Sequence, residues 1–79
     1  RQLKTGNRLS TTRSEYLLRL RALFEHGREV FGTSEAFQQW LARPAFGLDN
    51  YIPLELMKTF SGMELIEDEL SRIEFGDLA

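Results

Sequence analysis

The chain has 79 residues, no cysteine and a formal net charge of −2. That length holds one domain with a modest core. The composition excludes a disulfide framework and a Cys-based zinc site, and no apolar run is long enough to span a membrane. The charge is uneven: residues 1–28 carry seven basic side chains against two acidic ones (+5), and residues 29–79 carry three against ten (−7). Either the two ends serve different tasks, or the halves attract each other, or the charges are simply solvated. No signal peptide is visible, and a cysteine-free chain fits a reducing cytoplasm.

Residues 1–9 show no periodicity, and Gly6-Asn7 reads as a turn. The first residue is Arg1 rather than Met, so residues 1–11 are expected to be the tail of an upstream domain and 12–79 a helical domain of its own. Thr12-x-x-Glu15 forms a capping box that places a helix start near Arg13. Tyr16, Leu17, Leu20, Leu23, Phe24, Val30 and Phe31 then recur on one face about 140° wide. Gly27 lies within that face, where a glycine costs about 1 kcal/mol against alanine; close approach of another helix would explain it. Gly32 is placed to end this helix, roughly 28 Å after Arg13 at 1.5 Å per residue.

Thr33 suits the N-cap of a second helix over about Ser34 to Ala42. Ala36, Phe37, Trp40 and Leu41 share one side of it. Pro44 biases Arg43 away from the helix, and Gly47 loosens the loop that follows. Pro53 opens a short third helix to about Thr59. Ser61-x-x-Glu64 is a second capping box, for a fourth helix ending near Phe75 with Gly76 as its stop. Met63, Ile66, Leu70 and Ile73 form its inner stripe. No segment alternates as a strand. The expected fold is all-α: a small compact domain of about four helices with a long first helix. Its predicted core is Leu20, Phe24, Val30, Phe31, Phe37, Trp40, Leu41, Leu54, Ile66 and Leu70, with Trp40 buried against Phe31, Phe37 and Leu41.

The residues that could carry chemistry form no catalytic pattern. His26 is the only histidine, has no Ser or metal-ligand partner in sequence, and reads as a helix-surface side chain. Glu64, Glu67, Asp68 and Glu69 lack the accompanying histidine of a metal-binding helix. They read as a solvated acidic face, with Asp68 and Glu69 able to pair with Arg72. The glycines form no phosphate-binding loop. An enzyme, a cofactor and a bound metal are therefore not expected. The fourth helix has one further feature. On a helical wheel with Met63 at the origin, Leu65, Asp68, Arg72 and Phe75 fall between about 120° and 200°, away from the inner stripe. Two readings fit this: the domain wraps the helix on both sides, or a protein partner covers an Arg flanked by apolar residues. Spare stripe on the first helix would likewise allow a homodimer.

Several short motifs occur in order: Ser14-x-Tyr16-x-x-Arg19-Leu20, Val30-Phe31-Gly32, Ala36-x-x-x-Trp40-Leu41-x-x-Pro44, Leu48, Pro53-Leu54-Glu55-Leu56, Gly62, and Arg72-Ile73-Glu74-Phe75-Gly76. Together they resemble the toxin-binding domain of Xre/MbcA/ParS-type antitoxins. The resemblance implies an all-α C-terminal half of a type II antitoxin, preceded by a helix-turn-helix domain. It implies as partner a RES-domain toxin that consumes NAD⁺, neutralised by a cover over its active site. It puts Arg72, Glu74, Phe75 and Gly76 beside the NAD⁺ pocket, joining Leu65 and Asp68 in the expected partner surface. The sequence departs from the family at Phe46-Gly47-Leu48-Asp49-Asn50-Tyr51, where the family shows Asn near 45 and Gly-Gly or Gly-Lys near 49–51, and at Phe75, where it often has Tyr. The competing expectation is a DNA-binding regulator, an autorepressor fragment whose helical domain serves dimerisation. It rests on the basic first third. Operator DNA would be reached only through the missing upstream domain.

Overall fold

The computed structural model describes residues 12–76, and the backbone of residues 2–11 belongs to its first helix. The turn expected at Gly6-Asn7 does not form, because α1 runs unbroken through both residues. Four helices follow one another: α1 (Gln2–Phe31), α2 (Ser34–Leu41), α3 (Pro53–Leu56) and α4 (Phe60–Phe75), with a 3-10 turn at Phe46–Leu48. The fold is all-α with a long first helix. No strand occurs among the described residues, whose only extended pairing is an isolated bridge between Ala45 and Tyr51.

α1 corrects the expected start. Thr12 lies inside the helix instead of capping it at Arg13. The buried seam is also narrower than the apolar face read from sequence. Leu23 and Gly27 are buried, and Tyr16, Leu20, Val30 and Phe31 are half-buried. These recur at three- and four-residue steps, the spacing that keeps one line facing its neighbours. Leu17 falls beyond the edge of that line and is exposed. Phe24, expected in the core, also stands at the edge. It is 36 % exposed and meets the core ring of Phe37 edge-to-face, 5.3 Å between ring centres.

α1 packs against both α2 and α4. The α1–α2 approach is set by Gly27, because any Cβ there would overlap the Phe37 ring. Phe37 is fully buried, and Phe31 and Trp40 stack around it at 5.9 and 6.0 Å. Trp40 is half-buried rather than buried, since its indole packs on Phe31 and Phe37 and also borders a surface groove with Phe46 and Ile73. Gly32 takes φ +93°, a left-handed conformation open to glycine, and ends α1 as expected. Thr33 caps α2 through its side chain, which accepts a hydrogen bond from the Ala36 amide at 3.1 Å.

The chain then doubles back through residues 45–51. The Ala45 amide donates to the Tyr51 carbonyl at 3.0 Å, and the Asn50 amide donates to the Ala45 carbonyl at 2.8 Å. Asp49 and Asn50 take φ of 57° and 65°. Asp and Asn tolerate this left-handed region better than other non-glycine residues. They can therefore stand where the resembling family carries glycines. The turn buries Leu48 and throws Phe46 outward.

α3 is a single turn that buries Pro53 and Met57. Leu54, expected in the core, turns out past the edge of that buried side and is 52 % exposed. α4 starts two residues earlier than expected. Its cap is Thr59, whose hydroxyl accepts from the Gly62 amide at 2.9 Å, and not Ser61. Met63, Ile66 and Leu70 are buried. Ile73 continues their stripe only to the rim, because Leu70 is the last buried residue of the helix. The core is completed by Leu23, Phe37, Leu41, Ala45, Leu48 and Met57. At its far end Tyr16 donates to the Met57 carbonyl at 2.7 Å and meets Phe60 edge-to-face, with Arg19 over the same ring.

Gly27→Ala tests the close approach. Alanine would favour an exposed helix by about 1 kcal/mol, but here it must displace a fully buried ring, an overpacking cost of about 1–3 kcal/mol or more. The expected result is a net loss and a Tm lower by roughly 4–8 °C per kcal/mol for a domain of this size. A raised Tm in a thermal melt would disprove the tight contact.

Candidate functional site

α4 turns one side inward and leaves the other facing solvent. On the outer side Leu65, Asp68, Ser71, Arg72 and Phe75 line a groove of about 450 Å³, closed at one edge by Gly47 and Leu48 of the 3-10 turn and at its end by Gly76. Leu65 is 51 % and Phe75 65 % exposed. A second groove of about 610 Å³ lies against the first, bounded by Trp40, Phe46 and Ile73. Arg72, Gly47 and Gly76 belong to both. Phe46 is 91 % exposed, the barest large apolar side chain among the described residues.

The structure brings five of the six expected partner residues, Leu65, Asp68, Arg72, Phe75 and Gly76, to the first groove. Glu74 is not among them. Its carboxylate accepts from His26 Nε2 at 2.8 Å, on the side of α4 that faces α1. Sequence reasoning missed Gly47, Leu48 and Ser71 in this groove, and Phe46 beside it. The loop residues gave no signal because only the fold brings residues 46–48 onto α4.

Arg72 is more than an exposed cation. Its guanidinium bonds the carboxylate of Glu69, one turn back on α4. Glu69 is 8 % exposed, the buried charged side chain of the core region. A Cβ at Gly47 would overlap that carboxylate, so glycine is what lets the turn close over it. The acidic residues of α4 are therefore not one solvated face. Glu69 is buried, Glu67 is engaged with His26, and Glu64 and Asp68 are exposed. Arg72 holds the fold locally while presenting its outer edge to the groove.

His26 is likewise not a free surface histidine. Its Nδ1 lies 2.7 Å from Glu67 and its Nε2 2.8 Å from Glu74. Hydrogen bonds to Glu74 and Glu67 raise its pKa above the ordinary 6.5, outweighing partial burial, which lowers it. Among the described residues no set of His, Asp and Glu side chains is arranged to hold a metal ion, and no helix is long and apolar enough to cross a membrane.

A family model for the C-terminal toxin-binding domain of Xre/MbcA/ParS antitoxins matches residues 26–76. The chain belongs to this antitoxin family. No curated protein and no solved structure matched it. The match runs from His26 to Gly76 and so takes in both grooves, the 3-10 turn and the whole of α4. A toxin-binding antitoxin domain is a protein-recognition module, and the exposed apolar residues around Arg72 are side chains of the types such modules use.

The raised pKa of His26 gives a pH dependence with a definite sign. A group whose folded pKa lies above its unfolded value stabilises fully below the unfolded value and loses that stabilisation as pH rises through the folded one. The Tm of this antitoxin domain should therefore fall as pH is raised above the ordinary histidine range near 6.5. Charge-assisted bonds partly open to solvent are worth about 1–2 kcal/mol. His26→Gln should remove this dependence; a melt profile identical to the parent across pH 5.5–9 would contradict it.

Proposed function

We propose that this domain neutralises a RES-type, NAD⁺-degrading toxin by laying the outer side of α4 and the 3-10 turn over the mouth of its active site. The observation that carries the reading is the placement of Leu65, Phe75 and Phe46 around one Arg, within the segment matched to a toxin-binding family. Arg and aromatic residues are the usual energetic anchors of protein interfaces. Arg72 is held by Glu69, so less side-chain freedom is lost when a partner engages it. The acidic character of residues 29–79 suits a site that holds an anionic dinucleotide with cationic side chains. The domain itself supplies no catalysis in this reading. Operator binding belongs to an upstream helix-turn-helix domain in this reading, and the complex acts in the cytoplasm. Leu17 and Leu18, exposed on α1, favour a homodimer as an accompanying state.

The test is co-expression with the product of an adjacent RES-type reading frame, followed by affinity, NAD⁺ consumption and thermal melts. Phe75→Ala and Phe46→Ala should leave Tm within a few degrees, because neither ring is packed in the core. Each should weaken binding by about 30-fold, corresponding to the 2 kcal/mol typical of an anchor, and release NAD⁺ consumption. Arg72→Ala should do both kinds of damage, since it also leaves the buried Glu69 short of a partner at about 1–3 kcal/mol. If Phe75→Ala and Phe46→Ala inhibit like the parent, the contact surface lies elsewhere.

A further inference from the structure

The last turn of α4 has little to hold it down. Leu70 is the last buried residue of the helix, and Arg72 to Gly76 are all exposed. Arg72 bonds within α4. Among the described residues, the one hydrogen bond from this turn to another element runs from Glu74 to His26 of α1. The same imidazole reaches Glu67 with its other nitrogen, two turns earlier on α4.

This geometry fixes the protonation state that it needs. An ionised carboxylate only accepts hydrogen bonds, whereas a neutral imidazole has one donor and one acceptor. Both contacts are satisfied together only by the imidazolium, and distances of 2.7 and 2.8 Å suit charge-assisted bonds. The charged groups acting on His26 are Glu67 and Glu74, both from α4; α1 itself and α2, the other helix packed on it, contribute none among the described residues. On losing a proton the ring keeps one donor for two carboxylates. Glu74 is the partner free to move away, although its bond acts more strongly on the imidazolium, because Glu67 sits on a stretch of α4 anchored on both sides by Ile66 and Leu70 and Glu74 does not.

We propose that His26 is a protonation-dependent latch on the end of α4: as the imidazolium it pins Glu74 and so orders the turn carrying Phe75 and Gly76, and as the neutral ring it releases them. The toxin-binding surface would thus be preorganised at lower pH and loosened at higher pH. That consequence rests on the function proposed above, while the latch itself concerns the free chain.

The test is therefore made first without a toxin, by NMR on the isotopically labelled chain. The His26 ring shifts should titrate above the ordinary value and show both nitrogens protonated at pH 6. Backbone order parameters at residues 73–76 should fall from about 0.85 to below about 0.6 as pH passes that midpoint, while residues 63–70 stay rigid. Glu74→Gln, whose amide can serve either form of the ring, should make the last turn independent of pH. His26→Gln should do the same if it folds, so either variant suffices. Order at 73–76 that stays flat while His26 titrates, or a singly protonated ring at pH 6, overturns the latch. Affinity for a RES-type toxin is measured second: the parent should lose several-fold more than Glu74→Gln between pH 6 and 9. A toxin that binds at no pH sinks the proposed function and leaves the NMR result to decide the latch.

Discussion

Phe37 sits where α1 has no side chain, and the rest of the domain is arranged around that contact. Gly27 lets the ring come down onto the helix backbone, and the ring is fully buried as a result. Phe31, Trp40 and Phe24 then close around it at 5.3–6.0 Å. With α2 fixed against α1, the chain leaving α2 can only return across the bottom of the pair. Leu41, Ala45 and Leu48 fill that space and meet Met63, Ile66 and Leu70 of α4. A domain this small has few other large contacts to fall back on. A methyl group at position 27 would therefore be felt through the whole core.

The second constraint is a buried carboxylate. Glu69 lies inside the stripe that packs α4 against the turn, and burying a charge without a partner is costly. Arg72 supplies the partner from the outside, and Gly47 makes room for the carboxylate from above. Neutral residues at 69 and 72 could pack there, and replacing a buried ion pair with apolar groups is often stabilising. What the pair does here is fix a guanidinium between two grooves in one orientation. One residue thus both partners the buried carboxylate and lines the two grooves where the 3-10 turn meets α4.

Much of the fold was legible from local chemistry. Gly32 and Gly76 as helix stops, Thr33 as a cap, Pro53 as a helix start and the core positions Phe37, Leu41, Ile66 and Leu70 follow from signals within a few residues of each. The outward side of α4 was also legible, because a helical wheel needs no tertiary information. The failures share a cause. Phe24, Leu54 and Ile73 are apolar at helical spacing, but how far a stripe is buried depends on how far the neighbouring helix extends. Thr12-x-x-Glu15 has the pattern of a capping box, yet a helix already running through it leaves no free amides to cap. Phe46, Gly47 and Leu48 were unreadable as site residues because the turn reaches α4 only through the fold. The partners of His26 lie 41 and 48 residues away, beyond the reach of any local pattern.

The distribution of exposed side chains carries the remaining argument. Single exposed apolar residues are ordinary, but here Leu65, Phe75 and Phe46 flank one Arg across two adjoining grooves. Folding this domain alone gains nothing from them, and leaving them in water favours association. Binding a partner would bury them and would add to stability by mass action, because the surface exists only in the folded state. For a core of this size that increment is comparable to the domain's own margin. A bound partner is then in part a structural element of this domain, and the least anchored segment it could stabilise is the last turn of α4, held to α1 by one histidine.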